Sequence, residues 1–70
     1  MYDVLYLDQD GTLRLVAASL ERHSAVITAR AEADARGIGR MFLAGSEPPP
    51  SGRAVLIVDS GGETTIAAAA

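Results

Sequence analysis

A chain of 70 residues with no cysteine, 49% hydrophobic residues and a net charge of −3 excludes several classes of protein at once. The acidic balance argues against a nucleic-acid backbone binder or an anionic-membrane patch, both of which need a basic surface, and the absence of cysteine leaves no disulfide framework or thiolate metal site. No apolar run approaches the roughly 20 residues of a membrane span, and no basic segment followed by an apolar stretch marks a secretory signal, so a cytoplasmic location is expected.

The length suggests one complete small domain, residues 1–70. Such a chain buries only about 60% of its unfolded surface, which makes self-association the expected source of extra stability. All six basic residues are arginines.

Residues 2–17, YDVLYLDQDGTLRLVA, read as two strands joined by a tight turn. Successive strand side chains point to opposite faces. A three-residue loop, Gln9-Asp10-Gly11, with Gly11 left-handed, sets Asp8 against Thr12, Leu7 against Leu13 and Leu5 against Leu15. The leucines then share one face. A two-residue loop would split them between faces, which register selection disfavours. The other face carries Tyr2, Val4, Tyr6, Arg14 and Val16.

Residues 19–36, SLERHSAVITARAEADAR, read as a helix with Ser19 as N-cap and Glu21 in the first turn, where the dipole favours a negative charge. Leu20, Ser24, Ile27, Ala31 and Ala35 form its expected buried stripe, with Val26 at the edge or exposed. Glu32 and Arg36 are an i,i+4 pair in the favourable order. Gly37 ends the helix as a left-handed residue, with Ile38 folding back against it. His23, the single histidine, has no partner at ligand spacing and reads as a partly buried or surface residue.

Residues 39–44, GRMFLA, read as a third strand. Residues 45–52, GSEPPPSG, cannot join a sheet ladder, because consecutive prolines lack donors. Residues 53–59, RAVLIVD, form a continuous apolar run, expected as a central strand covered on both faces. The Gly61-Gly62 pair suits a two-residue primed turn. A last strand over 64–68 follows, with an alanine tail expected to fray.

Asp8-Gln9-Asp10-Gly11-Thr12-Leu13 follows an apolar strand. It resembles motif I of the haloacid dehalogenase superfamily, D-x-D-G-T-L/V. The resemblance implies that Asp8 is a nucleophile toward phosphate and a ligand of Mg²⁺, and that Asp10 is a general acid/base. It covers this stretch and the preceding strand only. The family's pattern also includes a parallel sheet with helical crossovers, a phosphate-steadying lysine or arginine in a later motif, and a later acidic pair. Here there is no lysine, Asp59 stands alone after its strand, and residues 12–16 alternate as a returning strand. Aspartate, glycine and threonine are common turn and strand-start residues. Asp8, Asp10 and Asp59 would converge on a cation only if both turns lay at one end of the sheet.

These observations predict an α+β domain, ββαββ or ββαβββ, with one helix on a mostly antiparallel sheet. The helix is expected to cover the leucine face, leaving Tyr2, Val4, Tyr6, Arg14 and Val16 as a face for self-association. The functional expectation is a non-enzymatic interaction or oligomerisation protein, a homodimer or the partner of another protein. No catalytic residue, cofactor, nucleic-acid partner or membrane partner is expected. The alternative is Mg²⁺-dependent phosphate processing, or cation binding, by the Asp8–Thr12 turn.

Overall fold

The computed structural model of the chain describes residues 1–38, 40–41 and 52–69, with 40–41 described as backbone. The elements are β1 (Tyr2–Leu7), β2 (Leu13–Leu20), α1 (Arg22–Ala35), β3 (Arg40–Met41), β4 (Ala54–Asp59) and β5 (Thr64–Ala69). This is the expected α+β arrangement, one helix on an antiparallel sheet, in the order ββαβββ. The strands lie β2-β1-β4-β5-β3, and every described pairing is antiparallel. Residues 39 and 42–51, which hold most of the expected third strand and of the proline-rich loop, lie outside the described residues.

The first hairpin has the expected register, with Leu5 opposite Leu15 and Leu7 opposite Leu13. Asp8 donates its backbone N–H to the Thr12 carbonyl at 2.8 Å, and Gly11 donates to the Asp8 carbonyl at 2.9 Å. Gly11 has φ +88°, the left-handed conformation that glycine adopts without steric cost. The second hairpin repeats this construction. Asp59 N–H donates to the Glu63 carbonyl and Gly62 N–H to the Asp59 carbonyl, each at 3.0 Å, and Gly62 has φ +84°. The loop is therefore Ser60-Gly61-Gly62, not the expected two-residue turn. The Asp59 carboxylate explains the preference, since its Oδ1 accepts from both Gly61 and Glu63 N–H at 2.9 Å.

β2 runs three residues past its expected end, to Leu20, and carries two irregularities. Its partners step from Leu15 to Ala17 across one β1 residue, and from Ala17 to Leu20 across two. Each step inserts an extra residue and bends the strand. Ser19 lies in the second bulge with φ +57°, and its N–H is satisfied by Asp3 Oδ1 at 3.0 Å. Ser19 is thus a bulge residue rather than the N-cap. Glu21 holds the N-cap position, without a side-chain capping bond.

The C-terminus of α1 closes as expected. Ile38 N–H donates to Ala33 O at 2.9 Å and Gly37 N–H to Asp34 O at 3.2 Å, the paired bonds of a Schellman cap, with Gly37 at φ +69°. Arg36 and Glu32 are ion-paired.

The helix covers the face opposite to the one expected. Its buried residues are Ala25, Ala29 and Ala33, which form one core with Val4, Tyr6, Ile38, Val55, Ala67 and Ala68. Tyr2, Val16, Leu20 and Ile57 pack against that core. Volume accounts for the choice. Tyr6 and the β-branched residues supply the bulk from the sheet, so the helix must contribute small groups, and alanines recurring at i,i+4 supply them. The members of the expected stripe that lie on α1, Ser24, Ile27, Ala31 and Ala35, are turned away, Ile27 being 55% exposed, whereas Leu20 belongs to β2 and packs against the core. The alanine tail fills space rather than fraying, since Ala67, Ala68 and Ala69 are all buried. β4 is central, as expected, between β1 and β5.

Candidate functional site

The reversed helix redistributes the candidate residues. Tyr2, Val4, Tyr6, Arg14 and Val16 were expected to make a free face. Val4 is fully buried and Tyr6 2% exposed, while Tyr2 and Val16 pack at the margin of the same core. Arg14 alone of the set is exposed. That face is occupied by α1, so this surface cannot receive a partner without undocking the helix.

The leucine face is the open one. Leu13 is 54% and Leu15 62% exposed. Their cross-strand partners Leu7 and Leu5 are half-buried, and pack against Ala54, Leu56, Ile66 and Ala69 on the same side of the sheet. Two large aliphatic side chains therefore stand in water next to two more, on a strand that forms one edge of the described sheet. Scattered exposed apolar residues such as Val26 and Ile27 are ordinary, but an adjacent group on one sheet face is a candidate contact surface.

The backbone of β2 adds a second property. Antiparallel pairs alternate between hydrogen-bonded and non-bonded. Because Asp8 donates to Thr12, the bonded pairs are Asp8–Thr12 and Tyr6–Arg14. Leu13 and Leu15 then belong to non-bonded pairs, and their N–H and C=O groups point away from β1, toward the sheet edge. Arg14, between them, points to the helix side, opposite Tyr6.

The aspartates of the turns act locally. Asp8 Oδ1 accepts from Gln9 N–H at 2.8 Å and Asp10 Oδ1 from Thr12 N–H at 2.9 Å. The Thr12 N–H, with its hydroxyl and the Arg14 charge, holds the Asp10 carboxyl below its ordinary value. Asp59 lies at the other end of the sheet, because β4 pairs Asp59 with Tyr2 and Ala54 with Leu7. Among the described residues no three histidine, aspartate or glutamate side chains gather in a way that could hold a metal ion. The strand before Asp8 also feeds an antiparallel hairpin, unlike the parallel strand that the motif I resemblance implies. Asp8, Asp10 and Asp59 therefore do not fit a Mg²⁺ site of that kind. His23 is exposed. No described helix is long and apolar enough to cross a membrane.

No family model, curated protein or solved structure matches the chain.

Proposed function

We propose that this protein is a non-enzymatic interaction module that self-associates, and that the contact surface is the leucine face, Leu5, Leu7, Leu13 and Leu15, rather than the tyrosine face. The observation that carries the reading is the exposure of Leu13 and Leu15 beside their half-buried cross-strand partners. A second copy placing its own leucines there would remove both patches from water through a two-fold contact, the commonest solution for small chains. Each leucine is already partly buried, so covering the remainder would contribute roughly half or less of the 1.5–3 kcal/mol of a fully exposed side chain, before the cost of association. The turn aspartates serve the backbone, which is why the reading is a contact module and not a phosphate enzyme.

Sedimentation velocity tests it. The wild type should show a concentration-dependent dimer at micromolar concentration, and Leu13→Asp/Leu15→Asp should stay monomeric with an unchanged far-UV spectrum. A wild type that remains monomeric throughout would refute self-association.

A further inference from the structure

The backbone edge of β2 carries information that the leucine face does not. We infer that this edge is a strand-addition site for an extended segment of a different protein, one that alternates apolar and acidic residues and sets a carboxylate opposite Arg14. The inference concerns the edge rather than the face, and stands whether or not the face self-associates.

Three observations point to it. β2 is a terminal strand of the described sheet, eight residues long. The outward N–H and C=O groups of Leu13 and Leu15 are the hydrogen-bonding sites an added strand requires. The side chains of Leu13 and Leu15 are exposed on one side of that edge and the Arg14 side chain on the other. Apolar residues of an added antiparallel strand would thus lie beside the two leucines, and the intervening residue would meet a guanidinium.

The charge argues against a second copy in this position. Antiparallel self-pairing through the outward groups of Leu13 and Leu15 must centre on Arg14, which would set Arg14 directly opposite Arg14 of the other copy. Like charges in that relationship are destabilising. Centring on Leu13 would bring Gly11 of the turn opposite Leu15, and centring on Leu15 would bring in Ala17, beyond the first bulge. An acidic residue has no such conflict, because opposite charges facing each other across strands are favourable.

The test uses two synthetic peptides, capped at both ends, with cores Thr-Val-Glu-Val-Thr and Thr-Val-Lys-Val-Thr, titrated into the full chain and followed by NMR. The glutamate peptide should slow exchange of the Leu13 and Leu15 amides and bind about fivefold or more tightly than the lysine peptide. Arg14→Glu, an exposed substitution, should invert that order, and added salt should shrink it. No amide protection at millimolar peptide would overturn the inference. So would equal affinity for the two peptides, or a preference unmoved by Arg14→Glu. Protection of the same amides without peptide, growing with protein concentration and persisting in Leu13→Asp/Leu15→Asp, would overturn it in favour of self-pairing.

Discussion

The guanidinium of Arg36 lies over the ring of Tyr6, 3.6 Å from its centroid. The same side chain is ion-paired to Glu32, which together with partial burial sets the environment of the charge. The Glu32 hydrogen bond is the chief reason the Arg36 guanidinium is held in its charged form beyond its ordinary range. The Arg36 carbonyl in turn accepts from Arg53 Nη1 at 2.9 Å. One residue at the helix end therefore joins α1 to β1 and to the start of β4. Arg36→Ala should lower the urea midpoint, and Arg36→Lys should lower it by less, because lysine keeps the charge but loses the flat stack on Tyr6. Urea denaturation measures both. An Arg36→Ala midpoint equal to that of the wild type would show the stack to be energetically idle.

The alanine seam yields a contrast between neighbours on α1. Ala29 is fully buried, whereas Ile27 is 55% exposed. Ala29→Leu should cost about 1–3 kcal/mol by forcing helix and sheet apart. Ile27→Ala should change stability by less than about 0.5 kcal/mol. Thermal melts of the two variants distinguish this packing from one in which the larger side chains of the helix face the sheet, which predicts the reverse order.

Gly37 isolates backbone strain from packing. Its φ is +69°, and nothing lies within 4 Å of where a Cβ would stand. Gly37→Ala should therefore destabilise by about 1 kcal/mol through conformation alone, and Gly37→Asn by less, since asparagine tolerates this region better. Chemical denaturation of the pair provides the comparison.

Asp10 gives a pH dependence of known sign. Hydrogen bonding from Thr12 depresses its folded-state pKa below the ordinary 3.8. A depressed carboxylate contributes stability that is present above the unfolded value and lost as pH falls through the folded one. The contribution should be intact at pH 6 and fade below about pH 4. Asp10→Ala should lose stability relative to wild type at pH 6, and the gap should narrow at acid pH. Urea midpoints at the two extremes check it; a gap that widens on acidification would contradict the assignment.

The hairpin register was legible because two independent cues agree: Gly11 fixes the loop, and the alternation of Leu5, Leu7, Leu13 and Leu15 permits one pairing. The helix end was legible for the same reason, since Gly37, Ile38 and the Glu32–Arg36 pair mark one place. Which face the helix covers was not legible, because both faces of the hairpin are apolar. The decision rests on volume, with Tyr6 meeting alanines, and hydrophobic periodicity weighs Ile27 above Ala29 although the sheet does the opposite. The bulges of β2 carry no sequence mark, so Ser19 resembled a helix cap. The leucine group of the candidate surface could be assembled from sequence, but its exposure depended on the docking of α1 elsewhere.

A helix seated on methyl groups grips lightly, while β4 is stitched along both of its edges. On warming, the first parting of this molecule should fall between α1 and the sheet. That event would bare Tyr6 and Val4, and in a copy not paired through its leucines the reverse face is already wet. The sheet would then be greasy on both sides, a short-lived species prone to clumping long before its strands come undone.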